Sequence, residues 1–296
     1  MKHAISSLLL LALILMPLTV LFTACQNDTV DRLPDVVIQG VPEEPVMSTI
    51  KTGGFTIDIH RTYAEIKEYS GSDTVLTLPA SAAGLTVKLI GEGAFRNNTK
   101  ITRVILPSST LTIGRYAFEG CTALTEVVFN EGLETISDYA FRNSGLTILN
   151  LPDSVASIGK YCFYSIQIES LVLPDGVSRL SKYAFYGCSR LTSITFQPRL
   201  YEIGERAFYN CTALTEIIIP KTITKIDPYA FSSCIALTKI VIPSETTSIG
   251  EGVFTGCAAL TIYAPAGSEA ERIATRNAYR FEVCDYDSLV TAGGDA

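Results

Sequence analysis

A phenylalanine that returns every 22 or 23 residues is the feature of this sequence that most constrains its fold. The recurring positions are Phe95, Phe118, Phe141, Phe163, Phe185, Phe208, Phe231 and Phe254. A fixed period of this length is typical of chains built from stacked units, each of which packs against its two neighbours. The sequence therefore predicts a solenoid of about eight repeats of 22 or 23 residues.

Each repeat contains two short extended segments. Leu214–Pro220 is rich in β-branched residues and ends in a proline, which predicts a short strand. Ile223–Ile226 is a second extended piece, and a glycine such as Gly250 after the equivalent piece permits a sharp bend. No repeat has apolar residues at helical spacing. We predict a mainly β fold with short parallel strands and few or no helices, except a short one near the C-terminus.

The open N-terminal end of such a stack must be covered. Residues 50–78 contain apolar and polar residues in alternation around Ile57, and Ser70–Asp73 supplies a turn. This pattern predicts a capping hairpin. The solenoid itself is assigned to residues 79–265.

The C-terminal end carries its own helix signal. Ser268 and Glu271 are spaced as a capping box, which predicts a helix that begins there and ends at about Asn277. A last strand is expected to follow it. We assign residues 266–284 to a C-terminal cap and residues 285–296 to a loose tail.

The first residues predict export. The apolar run Leu8–Phe22 has 15 residues, fewer than the roughly 20 needed to span a bilayer, so residues 1–24 are interpreted as a signal peptide. The small residues directly before Cys25 resemble the lipobox of bacterial lipoproteins, which implies cleavage there and acylation of Cys25. Ordinary secretory cleavage is the alternative. Residues 25–49, rich in proline and acidic residues, are expected to form a flexible tether that holds the fold off the membrane.

Charge and motif content exclude several function classes. The formal net charge is −7 and no run of Lys or Arg exists, so nucleic acid is not an expected partner. His60 is the single histidine after the predicted signal peptide, and no phosphate-binding loop or zinc signature is present. We therefore expect neither an enzyme nor a bound metal or cofactor.

The repeat frame resembles a known family. Residues 113–124 read Ile-Gly-Arg-Tyr-Ala-Phe-Glu-Gly-Cys-Thr-Ala-Leu, and this frame returns with each phenylalanine. It is similar to the BspA-like leucine-rich repeat family of bacterial cell-surface proteins. The resemblance implies a right-handed, curved leucine-rich-repeat solenoid with one parallel sheet, exposure on the cell envelope, and attachment to host proteins or other cells. Ser137, Ser181 and Asp227 depart from the frame at the glycine, and Cys162 departs from it at the alanine.

Cysteines recur three residues after the phenylalanine in five repeats, at Cys121, Cys188, Cys211, Cys234 and Cys257. Parallel Cβ vectors in a stack keep neighbouring Cβ atoms farther apart than a disulfide prefers. We expect small buried thiols, with disulfides or a metal column as alternatives. Cys162 and Cys284 fall outside this column and are also expected to be buried.

Two surfaces are candidates for binding. Alignment of the repeats places one set of residues on the outward side of the predicted sheet: Arg103, Ile105, Glu126, Val128, Ile148, Val172, Thr195, Glu216, Ile218, Lys239 and Val241. Contiguous exposed apolar area of this kind tends to mark protein interfaces, although β-branched residues also simply favour strands.

The second surface consists of tyrosines that recur at two positions of the repeat. They are Tyr116, Tyr139, Tyr161, Tyr183 and Tyr229 two residues before the phenylalanine, and Tyr164, Tyr186 and Tyr209 directly after it. Regularly spaced tyrosines could stack on sugars or anchor a protein. The alternative is rim packing with the hydroxyl group in water.

These observations predict a surface-exposed outer-membrane lipoprotein that binds host extracellular proteins or proteins of other cells through the sheet face. The alternative is a glycan-binding or nutrient-capture lipoprotein that uses the tyrosine columns.

Overall fold

The computed structural model describes residues 41–291. The predicted signal peptide, the predicted lipid attachment at Cys25 and the first part of the predicted tether lie outside the described residues. Within residues 41–291 the chain forms 21 β-strands and two short α-helices. The predicted mainly β solenoid is therefore confirmed.

Three antiparallel strands cover the N-terminal end. They are β1 (Ser48–Thr52), β2 (Phe55–Ile59) and β3 (Ala64–Tyr69). Gly53 and Gly54 join β1 to β2 with φ values of 54° and 81°, a conformation that glycine adopts without steric penalty. β3 then pairs in parallel with β6 (Leu85–Ile90), which also pairs with the short β5 (Ser81–Ala82). The cap thus continues directly into the first coil.

The first strand of each coil lies in a row that we call the front strands. These are β4 (Val75–Thr77), β7 (Arg103–Ile105), β9 (Glu126–Val128), β12 (Ser170–Val172), β14 (Ser193–Thr195), β16 (Glu216–Ile218), β18 (Lys239–Val241), β20 (Thr261–Ala264) and β21 (Arg280–Val283). They form three parallel sheets, β4-β7-β9, β12-β14 and β16-β18-β20-β21. In each three-residue strand the middle side chain faces the core, and the two flanking side chains face outward.

A second row of parallel strands, the side strands, follows the front strands along the chain. They are β8 (Thr112–Ile113), β10 (Thr135–Ile136), β11 (Ser157–Ile158), β13 (Arg179–Leu180), β15 (Glu202–Ile203), β17 (Lys225–Ile226) and β19 (Ser248–Ile249). The family resemblance implied one parallel sheet. The structure instead has two rows of strands, because the second extended segment of each repeat also pairs with its neighbours.

The third side of each coil is the turn face, which runs from three residues before the phenylalanine to two residues after it. Here the N–H groups of Tyr116, Phe118 and Gly120 donate to carbonyl groups of the next coil at 3.2, 2.7 and 2.9 Å. Equivalent bonds recur in the later coils. Backbone hydrogen bonds therefore also link neighbouring coils on the side that has no strands.

The recurring phenylalanines form the centre of the core. All eight are at most 1% exposed. Their rings stack along the solenoid, with centroid separations from 4.8 to 6.3 Å and interplanar angles of 15° or less. Burial of such a side chain contributes about 1.5–3 kcal/mol. The period in the sequence is thus the period of this stack.

Two consecutive repeats are one residue short, and the front strands are interrupted there. In regular repeats a leucine or isoleucine follows the phenylalanine by six residues, as Leu124 follows Phe118. In the short repeats Leu146 and Ile168 follow by five. The first short repeat forms no front strand at residues 146–151, and the side strands also stop pairing between β11 and β13.

The C-terminal end is covered by α1 (Glu269–Asn277), as its capping box predicts. Ser268 Oγ accepts a hydrogen bond from the N–H of Glu271, and Glu271 Oε2 accepts one from the N–H of Gly267 at 2.5 Å. Ala270, Ile273 and Ala274 face the core. The cap places an apolar helix face over the last coil.

Two terminal segments differ from the expectation of a tether and a loose tail. Val41 is 3% exposed and packs with Tyr63 and Leu89, and the main-chain carbonyl of Glu44 lies 2.8 Å from His60 Nδ1, so residues 41–49 are attached to the cap. At the other end, α2 (Tyr286–Thr291) lies within the predicted loose tail. Both segments contact the folded part of the chain, and the periodicity of the sequence does not predict these contacts.

Candidate binding surfaces

The register of the front strands places the predicted outward residues in two rows. Glu126 lies opposite Arg103, and Val128 lies opposite Ile105; the same pairing joins Glu216 to Lys239 and Ile218 to Val241. The charged row pairs internally: Arg103 Nε lies 2.7 Å from Glu126 Oε2, and Lys239 binds Glu216. Little unpaired charge therefore remains in this row.

The apolar row is exposed most strongly in its middle. Val172 is 56% exposed; Ile148, which lies in the charged row at the coil without a front strand, is 50% exposed. Ile105, Val128 and Ile218 are half-buried, and Thr195 is exposed. Each of the two short repeats thus presents one outward apolar side chain that is at least half exposed.

Val241 does not belong to this exposed row. Its register position is outward, yet it is 1% exposed. Tyr286 of α2 is itself 9% exposed, and its hydroxyl donates to the Ile219 carbonyl at 2.9 Å. The expectation of a free Val241 side chain is wrong, and the C-terminal segment is bonded to the residue that follows the neighbouring strand β16.

The tyrosines form two ladders on the turn face. Tyr116, Tyr139, Tyr161 and Tyr183 stack with ring centroids 5.0, 4.9 and 4.4 Å apart. Tyr164, Tyr186 and Tyr209 form the second ladder, with both separations at 4.8 Å. Both predicted columns are therefore contiguous over several coils, and each tyrosine is half-buried.

Arginine extends the first ladder where tyrosine is missing. Arg206 lies 5.6 Å from the Tyr183 ring centroid and 4.8 Å from that of Tyr229, so the guanidinium takes the place of a ring between them. At the other end, Arg96 lies 4.7 Å from the Tyr116 centroid. Cation–π contacts of this kind contribute about 0.5–1 kcal/mol at exposed sites.

The backbone of the first ladder is unusual for tyrosine. The five tyrosines have φ between 55° and 60°, and Arg206 has φ 52°. This left-handed conformation costs a residue with a Cβ about 1–2 kcal/mol. Gly93 and Gly252 occupy the same slot in the first and last of the eight repeats, with φ 65° and 63°. Those glycines are the sequence signal that could have predicted the conformation.

Stacking explains how tyrosine is tolerated there. An aromatic pair contributes about 0.5–1.5 kcal/mol beyond its burial, which is similar to the backbone cost. The ladder ends at Gly252, where a Cβ would lie 2.4 Å from Tyr229 Cε1. Because the ring faces pack against each other, edges and hydroxyl groups are what the ladder presents to a ligand. This geometry does not favour sugars stacked flat on the rings.

The cysteine column lies beside the phenylalanine stack and is buried. Each of its five thiols donates to the carbonyl of the phenylalanine in the preceding coil, at 3.0 to 3.4 Å. Burial raises the pKa of Cys121 to about 12 and that of Cys257 to about 11. Cys162 is also buried, whereas Cys284 is only partly buried, contrary to expectation. The cysteines of residues 41–291 are present as free thiols.

The sequence matches the family described as BspA type Leucine rich repeat region, in six copies over residues 88–167 and 156–285. The matched ranges together span about two thirds of the chain. The chain belongs to the BspA type leucine-rich repeat family. Its buried phenylalanine stack and parallel front strands are the structural form of that repeat in this protein.

The chain is also similar to solved structures of leucine-rich repeat proteins. The T. pallidum leucine rich repeat protein TpLRR is 25% identical, with 79% of this chain and 98% of that chain covered and a TM-score of 0.52. A leucine-rich repeat protein from Bacteroides ovatus is 21% identical, with 84% of this chain and 77% of that chain covered and a TM-score of 0.48. No curated protein matches the chain.

The histidine of this BspA type solenoid is part of the N-terminal cap. His60 Nε2 lies 3.2 Å from Glu65 Oε2, and the imidazole stacks on Tyr63. Burial raises the pKa of Glu65. A Cβ at Gly91 would lie 2.2 Å from Glu65 Oε1, so the carboxylate packs tightly against the first coil. The contact of Glu65 with Gly91 joins the cap to the first coil, and His60 is 5% exposed.

The described part of the chain forms neither a cluster of metal ligands nor a membrane-spanning helix. Among residues 41–291, no three His, Cys, Asp or Glu side chains converge on a point that could hold a metal ion. None of the helices within these residues is long and apolar enough to cross a bilayer. A cleft of about 200 Å³ lies between the last coil and α1, lined by Glu251, Arg272 and Tyr279 among others.

Proposed function

We propose that this protein is a lipid-anchored protein of the bacterial cell surface that binds host extracellular proteins or proteins of other cells through its front face. The observation that carries the proposal is the exposed apolar centre of that face. Ile148 and Val172, which lie in the two adjacent outward rows of neighbouring coils, are each at least half exposed. Exposed apolar side chains in contiguous rows are typical of protein interfaces.

The coil without a front strand adds hydrogen-bonding capacity to the same region. The N–H groups of Ile148, Leu149 and Asn150 donate to no carbonyl group of residues 41–291. In regular coils the corresponding groups belong to parallel ladders. A partner can therefore combine apolar burial against Val172 with bonds to backbone groups, which are strong donors and acceptors.

Binding to the front face can be tested with a charged variant. Val128, Val172 and Ile148 are each replaced by Lys, and binding to a panel of purified host extracellular-matrix proteins is measured by surface plasmon resonance. We expect loss of at least tenfold in affinity, because ammonium groups would have to be buried in the interface. Circular dichroism should be unchanged, since all three side chains point outward.

Ile235→Lys is the matched control, because Ile235 is 63% exposed and lies outside the two outward rows. It should bind as the parent does. If the triple variant retains full affinity, the front face is not the binding surface. Loss of binding on Tyr183→Ala with Tyr186→Ala, combined with binding to a glycan array, would instead support glycan capture by the turn face.

The anchor and the location have their own test. Metabolic labelling with an alkynyl fatty acid should label the wild-type protein and not the Cys25→Ala variant. Protease treatment of intact cells should then remove the solenoid from the labelled protein. Labelling without proteolysis would place the protein on an inner leaflet and contradict the surface role.

A further inference from the structure

The front face carries a segment of the chain itself at its C-terminal end. After β21 the chain turns back across the sheet, and Tyr286 reaches the end of β16. With β20 and β18 between them, this crossing spans three strand spacings, or about 14 Å. The crossing passes β18, whose outward residue Val241 is 1% exposed.

Two polar contacts attach the segment. The Tyr286 hydroxyl donates to the Ile219 carbonyl at 2.9 Å, and Lys221 Nζ lies 2.7 Å from Asp287 Oδ1. Lys221 Nζ is also 5.4 Å from the Tyr286 ring centroid. The site thus receives an aromatic ring, a phenolic hydroxyl and a carboxylate at the same time.

The features that receive Tyr286 belong to the repeat. The equivalent carbonyl groups of Leu173, Phe196 and Ile242 accept no hydrogen bond from residues 41–291, whereas the Ile219 carbonyl accepts one from the tail. Each of these residues directly follows a front strand.

Lys221 gives the site its charge specificity. The corresponding positions in other coils carry Ser108, Glu131, Asp153, Asp175, Pro198 and Ser244, none of which is basic. At this position of the repeat, the carboxylate of an acidic segment therefore meets an ammonium group in one coil, that of Lys221.

We propose that Val241, the Ile219 carbonyl and Lys221 form a docking site for a polypeptide segment of a partner that carries a tyrosine followed by an acidic residue, and that the tail occupies this site until such a segment displaces it. The inference deepens the proposed function, because it names a chemistry for the partner. The tail stands in for that segment.

Displacement is feasible because the tail contact is small. The tail buries one aromatic ring, that of Tyr286. The Lys221–Asp287 ion pair is exposed to solvent, so it contributes little binding energy. The attachment of the tail to β21 holds it at an effective concentration on the order of millimolar. A longer partner segment that also contacts Ile218 and the middle of the front face can bind tightly enough to displace the tail.

The experiment uses the full chain with the tail released by Tyr286→Ala and Asp287→Lys, which leave the site itself intact. The probe is a fluorescent peptide with the sequence of residues 285–291, titrated to millimolar concentration. We expect the peptide to bind the released variant at least about tenfold more tightly than the wild-type chain, because the competing tail is gone. Hydrogen exchange should also show reduced protection around Val241 in the released variant without peptide.

Lys221→Glu in the released background should abolish peptide binding. Lys160→Glu, which makes the same charge change on the turn face, should leave it intact. A peptide with its tyrosine replaced by alanine should not bind.

Equal binding to the wild-type and released chains, or binding that survives Lys221→Glu, would overturn the proposal. Dimerisation of the released variant without peptide binding would also overturn it, because the site would then serve a second copy. The test needs no host protein, so its outcome is separate from that of the front-face variant.

Discussion

The turn face and the front face respond differently to the same two short repeats. On the turn face the hydrogen bonds continue: the N–H of Phe141 donates to Cys162 O, and that of Phe163 donates to Ala184 O, both at 2.9 Å. On the front face the first short repeat has no strand at residues 146–151. One side of the solenoid keeps its register where the other side loses it.

The position of the missing residue explains the difference. It falls after the phenylalanine and before the inward leucine, so the turn face is already complete when the chain becomes one residue shorter. Regular coils make a turn here, with the N–H of Leu124 donating to Cys121 O at 3.0 Å. In the short coil Gly145 packs against Thr122 instead. The comparison indicates that the turn face stabilises the stack, and that the front face tolerates irregularity.

The largest expected effect contrasts the two sides directly. Phe163→Ala should lower the free energy of unfolding by about 3–5 kcal/mol, because it removes a buried ring from the continuous stack. Val172→Ala on the exposed front face should change it by about 0.5 kcal/mol or less. Urea denaturation of both variants measures this. Similar decreases in the free energy of unfolding for the two variants would show that the phenylalanine stack contributes no more to stability than the exposed front face does.

The second prediction concerns the short coil. A Cβ at Gly145 would lie 2.2 Å from Thr122 O, so Gly145→Ala should destabilise the protein by about 1–3 kcal/mol through forced backbone movement. Gly132→Ala is the control, since its Cβ would meet nothing closer than 3.4 Å. Thermal denaturation compares them. A neutral Gly145→Ala variant would mean that the short coil is loosely packed.

The third prediction uses the thiols beside the phenylalanine stack. Burial raises the pKa of Cys121 from 9.0 to about 12, so the folded thiol stays protonated while the unfolded one ionises. Stability contributed by this group is complete below pH 9 and falls as the pH rises towards 12, with a slope of about 1.4 kcal/mol per pH unit. Cys121→Ala should make the decline between pH 9 and 11 shallower by that amount. An unchanged slope would show that the thiol is not protected.

The smallest expected effect tests the tyrosine ladder. Tyr139 has φ 60°, so Tyr139→Gly should be about 1 kcal/mol more stable than Tyr139→Ala, because glycine adopts this conformation without a clash. In regular helices and strands alanine is instead more stabilising than glycine. Chemical denaturation of the two variants decides it. Alanine equal to glycine here would mean that the backbone relaxes out of the left-handed region.

Much of the core could be predicted from spacing. The period alone assigns the eight phenylalanines and the five cysteines to shared columns, and all of these residues are buried. The helix after Ser268 followed from local capping. The candidate site was harder to predict. Val241 has the same register as exposed neighbours, and nothing near it in the sequence indicates that it is covered.

The period of the sequence determined that the chain stacks and which residues share a column, because a repeated unit can bury its apolar side chains only against its own copies. The tertiary structure decided which columns stay free. The ring faces of the tyrosines are covered by neighbouring coils, and at the end of the front face Val241 is buried and Tyr286 is bonded to Ile219, which is 67 residues away in sequence. The exposure of a side chain depends on every segment that packs against it, whereas the period of the sequence determines only its position within its own coil.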